Sequence, residues 1–404
     1  MFFKSNSKGT TSETRGLSSL SLLPFRIALA VLSFVFSIFI AEVALKLFYP
    51  QIMEHDKMFE ADPHLGWRFI PNRSGSIVFP GEAHLYIRTN SLGFRDNPFP
   101  SAEEKRRKIL VLGDSFVSNI AVRDKDVFTE VMERQLRNTA VLNFGVNGYG
   151  QVQEYLLLKE WFGKVNPDLI VLMITVRNDF EDNIGSSWLH PRPYASWDAT
   201  DATLTINPPQ PVQWRKATQE AWKLYRKSHF FQLLDRELTP LLFKWSQTND
   251  EHEPSLYTPP ELYLCRSQPS EKTQLMYRTM EELLLRFAAF AGQKGVPLVF
   301  VIGPSMVQVD EQRWSSTLQE FGENTDNYLR SLPNDKLMHF AAKNDLLMID
   351  LLPILQAETR KGKILYFPRD EHWNSDGNHV VAHALLDYLK SKSLIDVGDY
   401  NGSS

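Results

Sequence analysis

Cysteine is nearly absent: the 404-residue chain contains one, Cys265. A single thiol makes no internal disulfide and no cysteine-based zinc site. No basic cluster adjoins it in sequence, so it reads as a packed or loop residue and not as a reactive thiol. An excess of positive charge is lacking too. Lys and Arg number 44 against 48 Asp and Glu, a net charge of −4, which argues against a nucleic-acid partner. No internal repeat is evident. The overall balance, 43% hydrophobic and 23% charged, suits one large globular domain with additions.

What is present begins with an apolar run. Ile27 to Ala41 carries no charge, and after Glu42 the apolar character resumes through Phe48. The segment 27–48 is long enough to span a bilayer, which takes about 20 residues. A signal-peptidase site is missing. A cut after Ala44 would put Glu42 where a small residue is required, which favours an uncleaved anchor over a signal peptide. Lys4, Lys8, Arg15 and Arg26 precede the run. The positive-inside bias therefore keeps residues 1–26 in the cytoplasm and exports the chain beyond the anchor, to the periplasm or the cell exterior.

Residues 49–107 form an irregular lead-in rich in turn signals, including Leu65-Gly66-Trp67 and Asn90-Ser91-Leu92-Gly93-Phe94-Arg95-Asp96. It is expected to pack on the main domain, residues 108–392. There, apolar runs at Ile109–Leu112, Val141–Phe144, Leu169–Ile174, Leu298–Ile302 and Leu346–Ile349 alternate with helical spacing at Val127–Leu136, Gln151–Phe162, Glu271–Ala291 and Asn378–Leu389. Strands apolar throughout, separated by helices, predict an α/β fold: a parallel sheet covered on both faces, in three α/β/α layers. Its site belongs at the carboxyl ends of the strands. The interval 184–270 breaks the rhythm with several prolines and with Trp188, Trp197 and Trp214. It reads as an insertion holding a helical piece at Thr218–Leu238. Its aromatics either hold a sugar or acyl chain or form a local core. Residues 393–404 are a tail.

The strand ends carry the chemistry. Gly113-Asp114-Ser115-Phe116 closes the first strand and leads into a helix, where backbone N–H groups face an anion. Alone it is a helix cap. The Gly-x-Ser-x-Gly elbow is not formed around Ser115, which weighs against an α/β-hydrolase. Gly145, in Asn143-Phe144-Gly145-Val146-Asn147-Gly148-Tyr149-Gly150, lets a backbone N–H approach a reacting oxygen. Asn178, in Val176-Arg177-Asn178-Asp179, offers a side-chain amide to an oxyanion. Before the last helix stands Phe367-Pro368-Arg369-Asp370-Glu371-His372-Trp373. An Asp two residues ahead of a His can orient the imidazole, which then acts as base and acid. A metal site built on Asp370, Glu371, His372 and Asp376 is the weaker reading, because no second histidine is placed for it. His379 and His383 read as helix surface or packing.

In this order the four blocks resemble the SGNH hydrolase superfamily, the GDSL-type esterases and lipases, over about Ile109 to Leu389. The lead-in motifs resemble a membrane-anchored bacterial subgroup. The resemblance implies the flavodoxin-like SGNH fold, Ser115 as nucleophile and His372 as base. It also implies an oxyanion hole of Ser115, Gly145 and Asn178. Two positions depart from the pattern. Phe116 stands where the family name has leucine. Arg369 stands where many members have the acid, which leaves Asp370 to orient His372, with Glu371 as the fallback. Branches resembling polysaccharide O-acetyltransferases share this Asp-x-His-Trp form.

The expected activity is ester cleavage, with acetyl esters foremost, through a Ser-His-Asp mechanism. No metal or organic cofactor is expected, and Asp114 and Asp179 are left structural. The partners expected are an acyl ester, an acetylated glycan among the options, and the membrane. The alternatives are an O-acyltransferase acting on an envelope or secreted polysaccharide and a non-catalytic glycan-binding protein on the same fold.

Overall fold

The five apolar runs are the five strands of one parallel sheet. In the computed structural model, residues 23–49, 58–79, 83–100, 106–185, 191–198, 202–210, 228–234 and 260–395 are described. Helix α1 (Leu23–Phe48) precedes two antiparallel hairpins, β1 (Phe59–Asp62) with β2 (Gly66–Phe69) and β3 (Ser74–Phe79) with β4 (Ala83–Arg88). Then come β5 (Arg107–Gly113), α2 (Ser115–Ser118), α3 (Phe128–Gln135), β6 (Thr139–Gly145), α4 (Gln151–Val165), β7 (Leu169–Thr175) and α5 (Asp179–Asp182). A third hairpin, β8 (Tyr194–Trp197) with β9 (Leu204–Asn207), and α6 (Pro260–Leu264) come next. The chain then runs through α7 (Glu271–Lys294), β10 (Leu298–Gly303), α8 (Met306–Val309), α9 (Glu311–Glu320) and α10 (Leu332–Lys343). It ends in β11 (Leu347–Asp350), α11 (Leu352–Arg360) and α12 (Ser375–Ser391).

The sheet order is β11-β10-β7-β5-β6, parallel throughout. Counted in chain order this is the 2-1-3-4-5 arrangement of doubly wound flavodoxin-like folds. Alternate side chains along each strand supply opposite layers. Leu110, Leu172 and Phe300 join a core with Leu158 of α4 and Phe287 of α7. Val111, Val171 and Val301 join a second core with Phe128 of α3, Leu355 of α11 and Leu385 of α12. All seven residues of β7 are buried, which is why that strand shows no polar alternation. Truncating a side chain such as Leu172 to alanine would cost about 2–5 kcal/mol.

Helix α1 is long and apolar enough to cross a membrane, with none of its Pro24–Phe48 window buried. It starts four residues before the expected Ile27, since Leu23 to Arg26 continue the helix. The lead-in packs on the sheet domain as expected. Phe94 lies against Phe144 of β6 with ring centroids 4.0 Å apart, and Gln153 of α4 donates to the Leu65 carbonyl at 2.7 Å. Within the insertion, Trp197 donates to Thr279 Oγ1 at 2.9 Å and lies under the Arg278 guanidinium, so it belongs to a local core on α7. Trp188, Trp214 and most of the expected helix at Thr218–Leu238 lie outside the described residues, as do residues 1–22 and 396–404.

Candidate active site

The chain reverses direction across the sheet between β5 and β7, and a doubly wound fold opens its crevice at that point. Ser115 comes directly after β5 as the first residue of α2. Asp114 caps this turn: its Oδ1 accepts the Phe116 N–H at 2.9 Å and the Thr175 hydroxyl at 3.0 Å. The cap ties the serine turn to the end of β7. The backbone N–H of Ser115 has no acceptor among the described residues.

His372 lies 2.7 Å through Nε2 from Ser115 Oγ and 2.7 Å through Nδ1 from Asp370 Oδ2. The His372 and Asp370 side chains are about 15% exposed, so the relay is mostly shielded from competing water. Glu371 sits between them in the left-handed region, φ +65°, and folds the tripeptide so that both flanking side chains meet. Its own carboxylate turns away to Arg177 at 3.2 Å and Arg313 at 3.8 Å. Asp370 is therefore the partner of His372, and the fallback Glu371 is not.

The histidine loop is fixed from both ends. Phe367 N–H donates to the His372 carbonyl at 2.9 Å, and Asn119 and Asn378 both donate to the Trp373 carbonyl. Trp373 is fully buried. Phe116 meets it edge to face at 4.9 Å and lies 4.9 Å from the His372 ring. An aromatic at position 116, where the family name has leucine, thus props both the imidazole and the tryptophan behind it.

The oxyanion donors need a correction. The Gly145 N–H donates to its neighbour Asn143 Oδ1 at 2.9 Å. A Cβ at Gly145 would lie 2.3 Å from the Ser118 nitrogen. Gly145 therefore lets β6 approach the serine turn and has no N–H to offer. The N–H of Gly148, three residues on at φ +74°, has no acceptor among the described residues. Both glycines stand in one motif, and their difference depends on the Asn143 side chain folding back, which spacing does not reveal. Asn178 stands just beyond β7 as expected, but its amide donates to Asp182 Oδ2 at 2.9 Å and Asp179 Oδ1 at 3.3 Å.

Arg95 was not singled out by the sequence pattern. It is buried and donates to the carbonyls of Ser118 at 2.8 Å and Val122 at 2.6 Å, to Asn119 O, and to Asp124 at 3.0 Å. It closes the far end of the turn that Ser115 begins. Trp67 Nε1 donates to the Asn147 carbonyl at 2.9 Å, which holds the loop carrying Gly148.

Carboxyls crowd behind the serine. Burial pushes Asp114 up, offset by the Phe116 N–H and the nearby His372. Asp179 and Glu154 are pushed well up by burial and next by Asp114, with Glu154 adding to the rise of Asp179 and Asp182 to that of Glu154. Asp179 is tied to Gln151 at 2.5 Å and to the Thr175 N–H at 2.7 Å, a structural role like that of Asp114. At the rim, burial lifts Glu261 of α6 to about 7, with Arg177 pulling the other way. His379 and His383 stand one turn apart on α12, and His383 Nδ1 pairs with the His379 carbonyl.

Residues 262–400 match the family described as the SGNH hydrolase-like domain, acetyltransferase AlgX. The match spans about the last third of the chain, which is similar to that SGNH hydrolase-like domain. No curated protein matches by sequence. Among solved structures, a lipolytic G-D-S-L family member from Veillonella parvula is similar at 13% identity, covering 70% of this chain and 97% of that one, with TM-score 0.35. A catalytic mutant of an acetylxylan esterase from Geobacillus stearothermophilus is similar at 13% identity, covering 70% and 94%, with TM-score 0.34. Likeness at these scores adds no argument of its own.

Proposed function

We propose that this protein is a membrane-anchored serine acyl-transfer enzyme with its domain outside the cytoplasm. Ser115 is the nucleophile, His372 the base and acid, and Asp370 the residue that orients His372. The single observation that carries this reading is the hydrogen-bonded line from Ser115 Oγ through the imidazole to Asp370, 2.7 Å at each step. A serine becomes a competent nucleophile when an imidazole takes its proton, and a buried carboxylate fixes the tautomer and steadies the imidazolium.

In the first step Ser115 Oγ attacks the ester carbonyl while its proton passes to His372 Nε2. The oxyanion meets the N–H groups of Ser115 and Gly148, and the Asn178 amide joins them by turning away from Asp182 and Asp179. His372 returns the proton to the leaving oxygen, and an acyl group stays on Ser115. An incoming hydroxyl then gives its proton to His372, attacks the acyl carbon and releases Ser115.

That hydroxyl is water in an esterase and a sugar hydroxyl in an O-acyltransferase. The family description over residues 262–400 names an acetyltransferase, which favours an acetyl group, and the Asp-x-His-Trp form of the histidine loop supports a glycan acceptor. Esterase action on acetyl esters is the simpler reading of the same acyl-enzyme. A purified full-length chain given an activated acetyl ester, with and without polysaccharide, separates them. Free acetate alone indicates an esterase, and acetylated glycan indicates a transferase. A fluorophosphonate label that persists in Ser115→Ala would sink both by placing the reactive serine elsewhere, and a wild-type chain that takes no label would sink both and leave the non-catalytic glycan-binding reading.

A further inference from the structure

The anchor helix contains one acid, Glu42, and the structure shows what it holds. Helix α1 rises about 1.5 Å per residue. With Arg26 at the cytoplasmic boundary, the next ~20 residues fill a hydrocarbon layer of about 30 Å and reach Lys46, which sets Glu42 about one turn inside the domain-side boundary. A carboxylate at that depth needs partners. Glu42 has three from the insertion: Ser228 Oγ at 2.8 Å, the His229 N–H at 2.9 Å and the Phe230 N–H at 2.8 Å. The carboxylate thus caps the helical residues 229–234, whose first N–H groups have no partner within the helix. A segment nearly 190 residues along the chain comes back to the depth of Glu42.

Two further observations agree. Along α1, Ile38, Ala41, Glu42, Ala44 and Leu45 are partly covered while their neighbours Phe39, Ile40 and Val43 are exposed. This spacing of three and four residues marks one helix face. On the returning segment, Phe231 and Leu234 remain 37% and 39% exposed. Beside a bilayer such side chains face acyl chains and headgroups, as in interfacial helices.

We propose that residues 228–234 form a second membrane-contacting element, with Phe231 and Leu234 seated in the leaflet on the domain side and Glu42 as their clamp. The proposal rests on α1 spanning the membrane. Its consequence reaches the active site, because Arg369 donates to the Tyr49 hydroxyl at 2.6 Å, one residue from Asp370. The histidine loop and the insertion are both tied to the same end of α1. The serine then works at the lipid surface and not on a free tether, and an acyl donor held in that leaflet is within its reach.

The test uses the full-length chain in liposomes, in a Cys265→Ala background, with Phe231→Cys carrying an environment-sensitive fluorophore. Doxyl-labelled phosphatidylcholine is expected to quench this label, and aqueous iodide is not. A label at Met338→Cys, on the exposed side of α10, is expected to show the reverse. Glu42→Ala is expected to move the Phe231 label toward iodide. If Phe231→Cys fails to fold, Leu234→Cys reads the same face. A chain retained after a carbonate wash, with its label quenched by iodide and not by lipid, overturns the proposal alone. Release by carbonate overturns the anchor and the proposal together.

Discussion

The guanidinium of Arg95 donates to the carbonyl oxygen of Ser118 at 2.8 Å, three residues beyond the proposed nucleophile Ser115. A turn of four residues has little cooperativity of its own. Its start is held by the Asp114 cap and its end by Arg95, which belongs to the lead-in and not to the sheet domain. Arg95→Ala would leave several carbonyls unpartnered in the interior. It is expected to destabilise the chain by about 2–4 kcal/mol and to lower turnover further by loosening Ser115. Arg95→Lys is expected to rescue only part of both, since an ammonium lacks the fork. Urea melts and ester turnover on the two variants check this, and full activity in Arg95→Ala would refute it.

The identity of the orienting acid can be read by contrast. Asp370→Asn keeps the shape but presents the wrong hydrogen-bonding group to Nδ1, and turnover is expected to fall by about 10³–10⁴, as in serine triads generally. Glu371→Gln removes only the pairing with Arg177 and Arg313, and turnover should stay within about tenfold, in keeping with the low worth of partly exposed pairs. Single-turnover kinetics on both variants would expose a reversal of this order.

The two glycines of the second loop should part company. Gly145→Ala forces a Cβ against the Ser118 nitrogen and is expected to abolish folding or move the serine turn. Gly148→Ala meets nothing closer than the Trp67 ring at 3.4 Å. It pays only for its left-handed backbone, about 1–2 kcal/mol. Alanine keeps the backbone N–H, so a folded Gly148→Ala with reduced turnover would support an oxyanion donor that works only from the left-handed position, φ +74°, and unchanged turnover in a chain driven off that conformation would refute it. Circular dichroism separates the folding effect from the kinetic one.

Glu261 gives a pH signature. Its carboxyl is lifted from 4.5 to about 7, so the folded state holds the proton more tightly than the unfolded chain. Stability from this group is complete below pH 4.5 and is lost as pH rises through 7, in total about 3 kcal/mol. Glu261→Gln is expected to flatten that decline. Urea midpoints at pH 5 and pH 8 measure it, and an unchanged pH slope in the variant would refute it.

Much of this was legible in the residues, for identifiable reasons. Strands β5, β6, β7 and β10 are buried on both faces, so nearly unbroken apolar runs marked them. Ser115 was legible because it directly follows β5, and Asp370 and His372 because their short motif precedes the last helix, in the loop between α11 and α12. The oxyanion loop was half legible: its glycines were visible, but which N–H is free depends on the Asn143 side chain. Arg95 was hidden because a buried cation gripping carbonyls looks, in sequence, like any turn arginine. The role of residues 228–234 was hidden because Glu42, their partner, lies 186 residues away.

Ser115 and His372 stand 257 residues apart. Synthesis at about 5–20 residues per second delivers the histidine roughly 10–50 s after the serine. Until then Ser115 has no imidazole beside it, however well its own turn has formed. On the proposed reading activity is timed as well as placed: a nascent chain that has not yet delivered His372 has the serine turn without its imidazole, and also lacks the final helix that completes one face of the core.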